Sequence, residues 1–249
     1  MGFLDTLKSP EALEKEGKLK EAAHKYWRKK KYEGAARCYE SLGWFDSAAW
    51  AWEELQSWEK VAENKEKAAK EDSMYWKDAA EAWEKANKFG EAARCYEQYA
   101  KEEPWYWENA AESWKKAGNA EKSKAAWLES AKYYAKEAVE DEGIWWEDAA
   151  KGFQNAGQME GYVKCMKYYL QYCIEQSKKE KWYYKEIAEV LVKFGHKEEA
   201  AKYMKLYEEY EKERKERALK RLEEEKKARE AAAAAGPAAP AAQAPSRKA

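Results

Sequence analysis

The groups with which this 249-residue chain could do chemistry are His24 and His196, four cysteines, and 48 Asp and Glu against 47 Lys and Arg. A metal site or a catalytic triad needs His, Cys or carboxylate side chains converging on one point. The two histidines fall in different segments of the chain, and no Cys-x-x-Cys occurs among Cys38, Cys95, Cys165 and Cys173. Cys165 and Cys173 would lie ~12 Å apart along a helix, too far for a disulfide. Acidic pairs are so common that none is distinctive, and no glycine-rich phosphate loop is present. The chain reads as non-enzymatic, with no cofactor, no metal and reduced cysteines. The opening MGFLDTLKSP lacks the basic start and apolar run of a secretory leader, so the expected location is cytoplasmic.

The apolar content is unusual in kind, with 14 Trp and 18 Tyr against 5 Phe. Trp and Tyr join an apolar body to a polar tip, which suits half-buried surfaces and surfaces that meet a partner. The formal charge of −1 supplies no global field for nucleic acid or an anionic membrane. No stretch approaches the roughly 20 apolar residues of a membrane span. Abundant Lys and Glu with few Asn and Gln point to a thermophilic source. Two local signals stand apart. Arg28-Lys29-Lys30-Lys31 is a basic cluster at a predicted turn, read as solvated surface. Residues 1–9 carry Phe3, Leu4 and Leu7 on one face and loosely match a myristoylation pattern through Gly2 and Thr6, leaving membrane contact as a minor alternative.

These residues must be positioned by helices. From residue 11 to residue 236 the only proline is Pro104, and the chain is rich in Ala, Glu and Lys. The chain also repeats. "AARCYE" occurs at 35–40 and 92–97, and "WKDAAEAWEKA" at 76–86 matches residues 107–117 and 146–156. Anchored on the first Ala of each pair, the series runs Ala22, Ala48, Ala79, Ala110 and Ala149, with Ile187 as a sixth member, at steps of 26, 31, 31, 39 and 38. In the third unit, Trp76, Ala79, Ala80, Trp83 and Ala86 form one helical face, and a turn follows near Asn87–Lys88. Phe89, Ala92, Ala93, Tyr96 and Tyr99 then repeat the pattern on a second helix. Gly43, Gly118, Gly157 and Gly195 stand where left-handed residues can stop helices. Each hairpin has too large an apolar face to bury alone, so stacking is required.

The order aromatic, Ala-Ala, aromatic, turn, aromatic, Ala, aromatic, proline resembles the tetratricopeptide repeat, complete in Trp76, Ala79, Ala80, Trp83, Phe89, Ala92, Tyr96 and Pro104. The 39- and 38-residue steps are similar to the longer-helix SNAP-adaptor relatives, with extra turns expected within Glu121–Asp141 and Glu160–Lys179. The resemblance implies an all-α, right-handed superhelical stack of antiparallel hairpins. The domain organisation expected is an N-terminal segment (1–17), a repeat domain (18–210), a charged extension of the last helix (211–235) and a disordered Ala/Pro tail (236–249). One long helix is expected over 197–235, held beyond residue 210 by pairs such as Glu211–Lys215, Glu213–Arg217 and Glu216–Lys220.

In "EEPWYWENAAESW", Trp107 aligns with Trp76, Trp146 and Tyr184 as a structural residue, with truncation expected to cost ~3–5 kcal/mol if buried. Trp105 and Tyr106 need another place. The family's geometry implies an inner wall made by the first helices, and the candidate partner-binding residues there are Trp27, Arg28, Trp50, Lys77, Glu81, Trp105, Glu108, Glu112, Lys116 and Trp182. Lys77 is followed by Glu81 and not Asn, which departs from the family's clamp for a terminal carboxylate. The expected function is a scaffold or adaptor holding a peptide or helix in a Trp-lined groove. The alternatives are a SNAP-like component of a membrane or AAA-ATPase assembly acting through its termini, and an RNA- or ribosome-associated repeat protein.

Overall fold

Small residues recur wherever two helices must touch. The structure, a computed structural model, describes residues 8–140 and 143–234. The expected amphipathic start at Phe3, Leu4 and Leu7 and the Ala/Pro tail lie outside the described residues. Among the described residues there are thirteen α-helices, one 3-10 turn at Pro104–Tyr106, and no strand. The helices are α1 (Pro10–Lys15), α2 (Leu19–Arg28), α3 (Tyr32–Ser41), α4 (Phe45–Glu53), α5 (Trp58–Ala68), α6 (Tyr75–Lys85) and α7 (Phe89–Tyr99). They continue with α8 (Trp107–Lys116), α9 (Ala120–Glu140), α10 (Trp146–Asn155), α11 (Met159–Ser177), α12 (Tyr183–Lys193) and α13 (Lys197–Ala234). No described helix is long and apolar enough to cross a membrane.

The anchors Ala22, Ala48, Ala79, Ala110, Ala149 and Ile187 lie on α2, α4, α6, α8, α10 and α12, and all are 0% exposed. Lacking bulk, the alanines let neighbouring helices approach closely, while the aromatic one turn later fills the remaining space. That aromatic sits at anchor +4 as Tyr26, Trp52, Trp83, Trp114 and Phe153, with Leu191 in the last hairpin. In four hairpins its ring faces the residue at anchor +12. In the first and fifth hairpins that residue is Gly34 or Gly161, where an added Cβ would come within 2.7 Å of Tyr26 or 2.6 Å of Phe153. In the second and fourth it is a lysine lying over the indole: Lys60 is 3.7 Å from the Trp52 ring and Lys122 is 4.1 Å from that of Trp114.

Each hairpin turns in the same way. The residue at anchor +8 has positive φ in all six: Lys30, Gln56, Asn87, Gly118, Gly157 and Gly195. The N–H after it donates to the carbonyl of the +4 residue, as Lys88 to Trp83 at 2.9 Å and Asn119 to Trp114 at 2.9 Å. The +8 N–H donates to the carbonyl three residues before it, as Asn87 to Glu84 at 2.9 Å. This is a Schellman turn, which satisfies two otherwise orphaned helix-end carbonyls. Gly17 and Gly43 close α1 and α3 likewise. The turns at 17, 30, 43 and 56 are therefore spaced by 13 residues, so the short 26-residue step of the first unit is two equal helix-and-turn units. The longer later steps come partly from 21-residue α9 and 19-residue α11, against 11 residues in each of α5 and α7.

Packing divides the chain into two units, Met1–Tyr169 and Leu170–Ala249, the division falling within α11. In the first unit each helix from α1 to α10 packs on the next in chain order. Ser9 caps α1, its hydroxyl accepting from the N–H of Ala12 at 3.2 Å, and Leu13 is buried in the same core, so packed structure begins upstream of residue 18. In the second unit α12 packs along α13, and Ile187, Val190 and Leu191 of α12 are buried. From residue 212 to 231 α13 is exposed. Glu213 meets Arg217 there at 3.6 Å as expected, whereas Lys220 and Lys226 pair forward with Glu224 and Glu230 at 4.0 Å.

Candidate partner-binding site

Two sets of side chains cross the seams between hairpins. One is buried. The indole N–H of Trp52, Trp83 and Trp114 donates to Glu40, Glu66 and Glu97 of the preceding hairpin at 2.8, 2.6 and 2.6 Å. Glu40 also accepts from the amide of Asn64, and the Cys95 thiol lies 3.3 Å from Glu66. Burial, reinforced by that carboxylate, pushes the Cys95 thiol well above the ordinary thiol range. Burial likewise raises Cys38 to about 11, with Glu14 adding to it. Lys65 joins the second and third hairpins, its ammonium 2.6 Å from Asp46 and 3.2 Å from Asp78. Burial opposes the charged form of Lys65, but the two aspartates outweigh it and the net shift is upward.

The second set is solvent-facing and runs along the first helices. Lys85 reaches Glu53 at 4.0 Å and lies 4.3 Å from the Trp58 ring. One hairpin on, Lys116 reaches Glu84 at 3.1 Å and lies 5.4 Å from the Phe89 ring. Both are an anchor +6 lysine meeting a +5 glutamate and a +10 aromatic of the hairpin before. At the first seam the types change. Position +5 is Trp27, +6 is Glu54 and +10 is Tyr32, with Trp27 edge-on to Tyr32 at 5.2 Å. Burial, with Glu54 beside it, raises the Tyr32 phenol.

At this seam a cavity of about 510 Å³ opens between α2 and α4. Trp27, Arg28, His24 and Lys25 line it from α2, Trp50 and Ser47 from α4, and Tyr39 from α3. Trp50 is 55% exposed. Its register, anchor +2, is exposed in every hairpin and otherwise holds His24, Glu81, Glu112, Lys151 and Glu189, so a tryptophan there is not required by packing. The lining is aromatic and basic, with no carboxylate among the lining residues.

Of the sequence candidates, Trp27, Arg28 and Trp50 are thus brought together. Lys77 and Glu81 pair at 3.9 Å, and Lys77 sits 6.0 Å from the Tyr106 ring. The Tyr106 hydroxyl, followed by Glu81, raises Lys77 above its ordinary value. Glu108 is tied to Lys151 at 2.6 Å, and Lys116 is engaged with Glu84. Glu112 is exposed. Trp182, in the second unit, is 40% exposed and stacks on Tyr183 at 3.8 Å. Lys25, Ser47 and Tyr39 escaped the sequence reading. Tyr39 lies on a second helix, outside the wall implied by the first helices, and only its aromatic type one turn after Ala35 could have signalled it.

The Trp-Tyr-Trp triplet divides differently from expectation. Trp107 packs against the core but is only half-buried, so its truncation should cost less than a fully buried Trp. Tyr106 is also a packing residue, stacked on Tyr96 at 6.1 Å and edge-on to Tyr99 at 4.7 Å. Trp105 alone points outward, 48% exposed on the 3-10 turn, in the register that holds Met74, Ile144 and Trp182 before α6, α10 and α12.

Among the described residues, no group of three or more His, Cys, Asp or Glu side chains is placed to hold a metal ion. The arrangement is an all-α array of hairpins, with an aromatic, basic cavity between α2 and α4. No model of a known protein family and no curated protein matches the chain.

Proposed function

We propose that the chain is a non-enzymatic helical-repeat adaptor of tetratricopeptide-like type, its hairpins winding into a right-handed superhelix whose first helices hold a protein segment. The observation that carries this reading is the cavity between α2 and α4, where Trp27 and Trp50 from successive hairpins converge with Arg28. Large exposed aromatics beside a charged rim are the composition of binding hot spots. A cavity of this size is in the range that encloses a side chain or small ligand. The test is affinity capture from native lysate with tagged wild type and Trp50→Ala, both first shown by circular dichroism to be folded. Loss of a captured protein from the variant supports the groove; identical recovery removes it.

A second reading, contact through the termini in a larger assembly, is favoured by Leu219 and Leu222 on the outer part of α13. They lie one turn apart and are both exposed. Removing residues 211–249 would abolish association on that reading and leave it intact on the first.

A further inference from the structure

The lining of the α2–α4 cavity is distinctive in charge as well as in shape. From its position as a partner site, and resting on that reading, we infer that its ligand is an acidic peptide segment that inserts one large apolar side chain. The two halves of the ligand follow from separate parts of the lining.

The apolar half is set by three rings. Tyr39 is buried and stacked on Trp44 at 6.1 Å, and Trp27 is half-buried and held edge-on by Tyr32. They form a fixed floor. Trp50 stands on the open side. An apolar side chain entering here removes aromatic surface from water on several sides, which is where hot-spot energy is concentrated.

The acidic half is set by the charges. Arg28 and His24 line the cavity together with Lys25, whose ammonium donates to the Lys8 carbonyl, and no acidic side chain lines it. Lys29 and Lys30 follow in the exposed turn, while the charge of Lys31 is met by Glu11 at 2.7 Å. At the next two seams Lys85 and Lys116 pair with Glu53 and Glu84. At the cavity's own seam Glu54 stands beside Tyr32 and outside the lining, so the exposed cations Arg28, Lys29 and Lys30 outnumber it. A cationic ligand in the aromatic box would meet this excess unfavourably, whereas carboxylates flanking the inserted side chain would gain charge-assisted bonds to the guanidinium of Arg28.

The probes are end-capped fluorescent heptapeptides, so that no terminal carboxylate is offered. One has a central tryptophan with two acidic residues on each side. A second carries the corresponding amides, a third has lysines, and a fourth is acidic with alanine at the centre. Binding to the full chain is read by anisotropy at physiological salt. The acidic tryptophan peptide is expected to bind about tenfold tighter than the amide version, a difference of ~1.4 kcal/mol. Both the alanine peptide and the Trp50→Ala protein should lose most of that binding, and Arg28→Glu should shift the preference toward the lysine peptide. Both substitutions are at exposed positions, and circular dichroism confirms that the helices are retained. If the amide or lysine peptide binds as tightly in a Trp50-dependent way, the acidic ligand class is overturned while the groove reading stands. If no peptide binds at about 1 mM, or binding ignores both substitutions, the assignment to this cavity falls. Displacement of the acidic peptide by an unstructured oligouridylate, with binding of that RNA stronger than of the peptide, would also overturn it in favour of a nucleic-acid ligand.

Discussion

Trp83 donates its indole N–H to Glu66 across 2.6 Å, joining the third hairpin to the second. Trp52–Glu40 and Trp114–Glu97 repeat it, each glutamate standing 18 residues after the anchor of its own hairpin. Where the fifth hairpin follows the fourth both members are apolar: Phe153 stands in the tryptophan's register and Leu128 of the fourth hairpin in the glutamate's. The donor and its acceptor are kept or lost together, as the cost of leaving one partner of a part-buried hydrogen bond unpaired requires.

Replacing Trp83 by Phe should therefore cost roughly 1–3 kcal/mol, because Glu66 loses its donor within a part-buried seam. Trp83→Phe/Glu66→Leu should recover a substantial part of that loss, as the natural Phe153/Leu128 combination suggests. Urea denaturation of the two single variants and the double variant measures the coupling. Strict additivity would reduce the seam bond to a bystander.

Lys65 makes a pH-dependent contribution whose sign is fixed by its upward shift. A raised folded value means the group stabilises the fold fully below its unfolded value, near 10.5, and ceases to do so as pH rises through the higher folded value. Lys65→Met should cost about 1–3 kcal/mol at pH 7, less than for a fully buried pair because Asp46 and Asp78 keep access to water. The gap between wild type and variant should then shrink above pH 10.5, as read by denaturation at several pH values. A gap that is unchanged at high pH would show that Lys65 acts through its aliphatic stem.

Lys30 and Gln56 hold left-handed backbone at φ 55° and 54°, where Gly118, Gly157 and Gly195 serve elsewhere. A left-handed residue with a Cβ costs roughly 1–2 kcal/mol, offset in part by glycine's greater freedom when unfolded. Gln56→Gly should raise stability by about 0.5–1 kcal/mol and Gly118→Ala should lower it by about 1 kcal/mol, both visible as shifts in Tm. Asn87→Gly should change little, since Asn tolerates this conformation.

All four cysteines are buried thiols. Burial holds Cys38 up to about 11 and raises Cys95 and Cys165, so little thiolate exists at neutral pH. A thiol reagent at pH 8 should label none of them in minutes and all four after denaturation. Rapid labelling of Cys95 in the native protein would contradict the closed seam at Glu66.

Much of the hairpin plan is written locally. The Ala-Ala anchors, the aromatic one turn later and the glycine stops follow from helical periodicity and φ preference, which are properties of short segments. Hence α13, expected over 197–235, is found at Lys197–Ala234, and the added length was correctly placed in α9 and α11. A turn was legible at Arg28–Lys31, but the left-handed backbone at Lys30 and Gln56 was not, because neither residue type favours positive φ. There the Schellman hydrogen bonds and the packing on either side impose it.

The sequence by itself determined the helices, their order, the turns made by glycine and the faces that must be buried. Tertiary structure decided which of 48 carboxylates meets which tryptophan, that Tyr106 packs while Trp105 stays in water, and that Trp27, Tyr39, Trp50 and Arg28 converge on one cavity. The reason is distance along the chain. Periodicity assigns a side chain to a face of its own helix, but the partner 12 or 17 residues away is selected only when two faces close on each other.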